Sequence, residues 1–421
     1  MPDPVHQRAS ALEAISAAAQ ILFSSGQTTE RMIRATQQFS SGLGARASVV
    51  PSWGELTICR EDNAGAQVRR IAVKPSGVDM KRVIGTLTVI DRFREGLLDT
   101  PAVRKELEKI SRAEPVPILS FAVMAGAGAA ALSVIFGELH LLNLILIALS
   151  ASIGAVLRRS LAKISHNLYV QPFCAALLAG IIGAVVDRLE PGSALRLLAV
   201  CPCMILVPGP HFLNGALDFA RMRFALGTAR MAYASLITCV ICAGLLLGLS
   251  LGGDSLPASA TSRSVPLVYD VAAAGVAVAA YGIFFNMPWQ MLRVPVLVGM
   301  LAHALRWIVI TVAGASAETG ALVACLMVGI IMTPVAESLR LPFAGVAFAS
   351  VVSLIPGVFI FRTVGGLADL VTAGSPAVKG LLLQATNDSV TAVFIILAMA
   401  FGLLVPKLCF EHFWALRPVG K

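Results

Sequence analysis

Two apolar stretches of membrane length each carry a proline–glycine pair near the middle, and polar side chains follow the first of them. Ala194–Phe219 is broken at Pro208-Gly209-Pro210, with His211, Asn214 and Asp218 beyond the break; Pro342–Val364 is broken at Pro356-Gly357, with Asp369 further on. Proline removes a backbone donor and clashes with the preceding turn. In lipid the carbonyls so released have no water to bond, so each break must face protein or a wet cavity. A half-helix that starts at such a break offers unpaired N–H groups and about half a positive charge, which suits the carboxylate of a small solute. Matching breaks in the two halves of a membrane domain point to a transporter's substrate site.

The polar residues near the breaks have candidate roles. His211 and Asn214 lie three residues apart, on one side of a helix. Asn214 could bind an amino or hydroxyl group, and His211 could titrate near neutral pH; both also read as hydrogen-bonded structural residues. Asp218 closes the fourth membrane helix, where it could couple to a proton or a substrate ammonium, or pair with Arg221 or Arg223 at the membrane surface. Asp369, just past the ninth helix, is its rough counterpart. His303 and Arg306 sit mid-way along the seventh helix, one turn apart. A charge at mid-membrane costs about 2.5–3.5 kcal/mol on insertion scales and tends to be functional. Arg306 therefore needs Asp270, Asp187, Glu337, Asp388 or a substrate carboxylate, in a functional site or in a structural ion pair.

Composition sets the frame for these residues. The chain has 421 residues, of which 57% are hydrophobic and 14% charged. A soluble domain is nearer ~25% charged, so this is a membrane protein. Residues 1–114 hold 16 of the 33 Lys and Arg residues, and from Pro115 the chain is a train of apolar segments. The net charge of +9 fits the Lys/Arg-rich inner loops of membrane proteins better than nucleic-acid binding. The first 20 residues carry Asp3, Arg8 and Glu13 and have no long apolar core, so a cleaved secretory signal is not expected. The eight cysteines, including Cys201-Pro202-Cys203 and Cys239-x-x-Cys242, lie mostly in apolar segments and read as packing residues, with no metal or cofactor expected.

Residues 1–114 predict a small cytoplasmic α/β domain. Leu12, Ile15, Ala19 and Leu22 form a helical stripe that Gly26 ends; Thr28 or Thr29 caps a second helix with Glu30 near its start, stopping at Gly42 or Gly44. Strand-like segments follow at 47–50, 55–60 and 67–74, with Asp62–Gly65 as a hairpin turn, then helices over about 80–96 and 101–112. Beyond Pro115 and Pro117, ten membrane helices are expected, near 116–136, 139–158, 168–187, 194–219, 226–251, 266–286, 293–313, 319–338, 342–364 and 385–406. Residues 115–255 and 256–421 then form two repeats of five helices each.

Loop charge orients the bundle. With the N-terminal domain inside, the inner segments hold Arg158, Arg159, Lys163, Arg221, Arg223, Arg230, Arg293, Arg340, Lys407, Arg417 and Lys421, and the outer ones Arg188, Arg196, Arg263, Arg362 and Lys379. That bias places both termini in the cytoplasm. The halves also match internally: Gly180-Ile181-Ile182 with Gly329-Ile330-Ile331, and Val207-Pro208-Gly209 with Ile355-Pro356-Gly357, at nearly one offset. Five helices followed directly by five more invert the second set, giving a 5+5 inverted repeat with broken helices four and nine.

At these residues the chain resembles the threonine/serine exporter family, over nearly its whole length. Ile21–Thr57 is similar to the family's opening of helix, Ser-Gly, Thr-containing helix, Leu-Gly break and Pro-containing strand. Val207–Arg230 resembles its Pro-Gly, Asn/Gly, Asp and Gly-x-x-Arg signature, and Leu354–Leu370 the matching Pro-Gly segment of the second half. Pro-Gly-Pro-His at the first break departs from the plain Pro-Gly of the family. The resemblance implies a cytoplasmic domain followed by ten membrane helices, and proton-driven export of threonine, serine and related solutes across the bacterial inner membrane.

The expected partners are thus a small amino acid, protons and the lipid bilayer, and a homo-oligomer is compatible with the sequence. The expected mechanism is alternating access, with substrate where the broken helices meet, held by Pro208, Gly209, His211, Asn214, Pro356, Gly357 and Arg306. Asp218, with Asp369 and His303 as further candidates, would carry the proton. Transport of a dicarboxylate or dipeptide, or a membrane sensor or scaffold, stay open as alternatives. An enzyme is not expected: the first 114 residues hold a single histidine, His6, and a single cysteine, Cys59, and no Walker loop, HExxH motif or GxSxG elbow occurs.

Overall fold

The computed structural model describes residues 4–63, 65–75, 77–189, 197–252, 265–372 and 375–415. The expected repeat boundary at 255–256, the outer-loop Arg196 and Arg263, the inner-tail Arg417 and Lys421 and the Asp187 side chain lie outside the described residues.

The chain opens with α1 (Pro4–Ser24) and α2 (Thr29–Gly42). Gly26 turns the chain out of α1 with φ at +83°, a conformation that disfavours side chains with a Cβ, and Thr28 enters α2 with extended backbone. Three antiparallel strands follow, β1 (Arg46–Ser52), β2 (Glu55–Asp62) and β3 (Gly65–Ala72), in that spatial order, with Val49 opposite Ile58 and Cys59 opposite Val68. Period-two burial along β2 turns Leu56 and Ile58 inward, against Ile15, Leu22, Phe23, Met32 and Phe39 of the two helices. Then come α3 (Met80–Arg94) and α4 (Thr100–Ser111), each started by an aspartate: the Asp79 carboxylate accepts the Arg82 N–H and the Asp99 carboxylate the Ala102 N–H.

The rest is helical: α5 (Ile118–Ile135), α6 (Leu141–Ile164), α7 (Val170–Leu189), α8 (Leu197–Met204), α9 (Gly209–Ala220), α10 (Phe224–Leu251), α11 (Leu267–Phe284), α12 (Arg293–Thr311), α13 (Ala317–Ser338), α14 (Phe343–Val351), α15 (Gly357–Thr372) and α16 (Ser375–Ala415). Among the described residues seven helices are long and apolar enough to cross a bilayer, or up to nine if each bent pair, α8 with α9 and α14 with α15, counts as one span. α7 is apolar over Val170–Val186 of its described side chains. Leu142, Ile145, Leu149, Ile153 and Val156 form an exposed apolar stripe on α6, and Leu383, Val390, Val393, Phe394, Leu397 and Phe401 one on α16, as lipid-facing surfaces require.

Two expected boundaries are corrected. The ninth segment continues to Thr372, so Asp369 lies inside α15 and not past it, and Arg362 lies within the helix too. Its charge is met there, 3.1 Å from Asp388 of α16. The last helix runs over Ser375–Ala415 rather than 385–406, through Pro406 and taking in Lys379. Past Pro406, Lys407, nearly fully buried, is held by Glu337 at 3.4 Å and by Glu411, one turn on, at 3.2 Å.

Glycines let helices close on one another in both halves. A Cβ on Gly180 of α7 would meet the backbone of α10 around Leu245–Leu249, and one on Gly329 of α13 would meet the Gly402 carbonyl of α16 at 2.8 Å. These are the two glycines of the internal sequence match. The N-terminal unit and the bundle interlock: Leu226 of α10 enters the core of the former, and Met80 of α3 enters the core of the latter while its N–H donates to the Phe285 carbonyl at 2.9 Å.

Candidate functional site

The two breaks cross. α8 and α9 meet at a bend of 49°, α14 and α15 at one of 66°. Gly209, at the first break, lies flat against the Phe348 ring of α14, and a Cβ there would overlap the ring. Gly357, at the second break, lies against Met204, the last residue of α8, whose Cε a Cβ would meet at 2.8 Å. Each break is therefore covered by the half-helix that precedes the other. Tyr281, nearly fully buried, donates its hydroxyl to the Met204 carbonyl at 2.9 Å and so satisfies an acceptor at the end of α8.

The half-helix starts differ in what they offer. At α9 the Gly209 N–H bonds back to the Val207 carbonyl at 2.9 Å, Pro210 has no N–H, and the His211 N–H bonds to the Pro208 carbonyl at 3.1 Å. At α15 the Gly357 N–H bonds to the Ile355 carbonyl at 2.8 Å, and the first helical bond is Ile360 N–H to Pro356 O at 3.0 Å. No described backbone carbonyl takes the Val358 or Phe359 N–H.

Asn214 and Asp218 are buried on α9, but their partners come from the N-terminal unit and from α10. Asn214 Nδ2 donates to the Gly26 carbonyl at 3.2 Å. Asp218 Oδ2 accepts the Thr29 hydroxyl at 3.1 Å and Arg230 Nε at 3.0 Å, while Arg223 Nη1 stands 3.7 Å from Oδ1. Arg230 is wholly buried, with its guanidinium 5.1 Å from the centre of the Phe23 ring. His211 meets the Tyr233 ring edge-on at 5.1 Å. At the rim, Glu30 accepts Arg223 Nη2 at 2.7 Å and faces Arg221 at 3.5 Å. Burial pushes the Glu30 carboxyl up, but the Arg223 hydrogen bond and the charges of Arg221, Arg223 and Arg34 outweigh it and hold the group below its ordinary range.

A second buried cluster sits beside the other break. His303 of α12 shares its Nδ1 with Asp270 Oδ2 at 3.0 Å and its Nε2 with Ser353 Oγ at 2.5 Å, and all three are buried. Ser353 lies in the short 3₁₀ turn Val352–Leu354 that ends α14, three residues before Pro356. Of the carboxylates weighed for Arg306, Glu337 pairs with Arg31 and Lys407, Asp388 with Arg362, and Asp270 with His303. Arg306 has no carboxylate within ion-pair distance among the described residues. Asp369 sits on α15, a different helix from Asp218, and is only partly buried.

Arg230, Thr29, Gln27 and Ser353 were not singled out from sequence as site residues. In sequence Arg230 reads both as the last residue of Gly227-x-x-Arg230 and as an inner-segment charge. Among the described residues no group of three or more His, Cys, Asp or Glu side chains is placed to hold a metal ion.

Two known sequence families match the chain. Residues 13–252 match the family described as "Putative threonine/serine exporter". The chain belongs to the threonine/serine exporter family. Residues 270–409 match a second family, described as "Threonine/Serine exporter, ThrE", so the two matches between them take in both broken helices. No curated protein and no solved structure matches the chain.

Proposed function

We propose that this member of the threonine/serine exporter family is a secondary transporter that exports threonine, serine or a similar small polar amino acid, driven by the proton gradient, by alternating access. The observation that carries the reading is the reciprocal crossing of the two broken helices, Gly209 under Phe348 and Gly357 under Met204, in a chain of an exporter family. A pair of half-helices meeting inside a bundle is how secondary transporters form a midplane site. The Val358 and Phe359 amides at the start of α15 suit the substrate carboxylate.

A zwitterion carries no net charge, so the membrane potential alone cannot drive it; one coupled proton supplies about 2.3 kcal/mol per 100 mV. Asp218 is tied up in the ion pair with Arg230 at 3.0 Å and faces Arg223 at 3.7 Å. The Asp270–His303–Ser353 chain is the better proton carrier, since it joins a titratable imidazole to the second break through a hydroxyl. The parallel roles of Gly180 and Gly329 support two repeats of five helices with inverted topology, and α7 completes the ten. Both termini and the N-terminal unit then face the cytoplasm of a bacterial inner membrane.

Arg306 favours a second reading, export of a dicarboxylate, because no described carboxylate lies within ion-pair distance of it. Both are tested by efflux of labelled threonine, serine and succinate from proteoliposomes, with and without an imposed pH gradient. Gradient-dependent efflux of the hydroxy amino acids alone supports the first reading. Succinate efflux alone supports the second, and efflux of none of the three refutes both.

A further inference from the structure

We propose that the α1–α2 turn and the Asn214–Asp218–Arg230 face of the bundle together form a binding site for a small zwitterionic amino acid; the proposal rests on the export reading above and adds the N-terminal unit to the substrate path. The turn residues Gly26, Gln27, Thr28 and Thr29 are all buried against the bundle. Their hydrogen bonds leave particular atoms over. Gln27 Oε1 accepts the Thr28 N–H at 2.8 Å, but Gln27 Nε2 has no partner. Asn214 Nδ2 is taken by the Gly26 carbonyl, but Asn214 Oδ1 has no partner. Arg230 gives Nε to Asp218 and Nη2 to Thr29 at 3.5 Å, but Nη1 has no hydrogen-bond partner; Arg223 Nη1 is taken up in the ion pair with Asp218 Oδ1 at 3.7 Å.

These are buried atoms on residues tied to one turn. Gln27, Asn214 and Arg230 are 1%, 2% and 0% exposed. An unsatisfied buried donor or acceptor costs about 1–3 kcal/mol, and folded proteins keep few of them. The set is also chemically ordered. Two donors, Gln27 Nε2 and the guanidinium Nη1 of Arg230, match a carboxylate. One neutral acceptor, next to the Asp218 anion, matches an ammonium. A zwitterion supplies both ends, whereas a dicarboxylate would set its second anion against Asn214 Oδ1 and Asp218. Asn214 lies five residues beyond Gly209, about 7.5 Å along α9 at 1.5 Å per residue, so a ligand here waits one step from the crossing.

The test uses the full chain in lipid nanodiscs, with calorimetric binding of L-serine, L-threonine and succinate, alongside efflux from proteoliposomes. Gln27→Glu keeps the acceptor for the Thr28 N–H and replaces only the unpartnered donor with an anion; Gln27→Met removes both without adding charge. The site predicts that serine binds, that Gln27→Glu raises its Kd tenfold or more with a parallel rise in efflux KM, and that Gln27→Met raises both less, while both variants unfold at the wild-type temperature within a few degrees. If the wild type exports serine but both variants bind and export as it does, the gaps hold water only and the proposal fails with the export reading intact. If the wild type binds serine in a Gln27-dependent way yet exports neither hydroxy amino acid, the site stands and the export reading fails. Absence of both binding and efflux in the wild type overturns both.

Discussion

Gly209 sits against the Phe348 ring so closely that no side chain fits between them. Its counterpart Gly357 has a softer neighbour, the flexible Met204 thioether. The two breaks are thus alike in position and unlike in tolerance. Gly209→Ala forces the buried ring to move and is expected to cost about 1–3 kcal/mol, as overpacking does. Gly357→Ala is expected to cost less, because the Met204 chain can shift. Thermal unfolding in detergent checks the ranking, and Phe348→Leu in the Gly209→Ala background should restore part of the loss. Equal tolerance at both glycines would mean the crossing is looser than the geometry states.

Asp218 and Arg230 form a pair on which two segments depend, since Thr29 of the N-terminal unit bonds to both. Removing one partner of a buried ion pair leaves an uncompensated charge and costs about 3–5 kcal/mol. Asp218→Asn and Arg230→Gln should each destabilise the chain by that order, and the double variant by clearly less than the sum. Thr29→Val deletes only a hydroxyl and should cost about 1 kcal/mol or somewhat more, because its partner is charged. A double-mutant cycle on unfolding midpoints measures the coupling; additivity within about 0.5 kcal/mol would show that the pair does not act as one unit.

What could be read from the sequence here was local. Both breaks fall where they were expected because Pro208 and Pro356 act on their own backbone, whatever surrounds them. The helices and strands of the N-terminal unit follow from period and turn residues, with Gly26 and Gly44 at positive φ where the helices end. The pairings were not legible, because they join distant parts of the chain. Thr29 and Asp218 are 189 residues apart, and Arg31 and Glu337 further still. Arg230 reads as an inner-loop charge because it stands within the first two turns of α10, and only the fold shows it wholly buried beside Phe23. Likewise only the fold shows Lys407 and Glu411 paired on α16 beyond its apolar core.

Glu30 gives the contact between the N-terminal unit and the bundle a pH dependence. Its carboxyl is held below the usual range by Arg223, Arg221 and Arg34 against the effect of burial. A depressed folded-state pKa adds stability at pH values above the free carboxylate's, and that stability is lost as pH falls through the folded value. Docking of α2 against α10 should therefore be firm at neutral pH and loosen in acid, below the ordinary glutamate range. Hydrogen exchange of the α2 amides between pH 7 and about pH 3, corrected for intrinsic rates, measures it. Glu30→Gln should exchange faster at pH 7 and show a flatter profile; an unchanged profile would place the acid-sensitive group elsewhere.

His303 stands between Asp270 and Ser353, and under the proposed export this chain would carry the proton apart from the substrate. Asp270 holds Nδ1, so the tautomer with its proton there leaves Nε2 to accept from Ser353, while the imidazolium donates from both nitrogens. Around it, Arg306 lies one turn away on α12, and Asp270 is the carboxylate that faces the ring. His303→Gln keeps a polar side chain but cannot take up a proton. It should abolish the stimulation of efflux by a pH gradient while leaving exchange of labelled for unlabelled serine at equal pH within a few-fold of wild type. Ser353→Ala removes the hydroxyl link to the second break and should weaken gradient stimulation without abolishing it. Loss of exchange and gradient response together in His303→Gln would give the histidine a structural or substrate-binding role, and retention of both would take the proton away from this chain altogether.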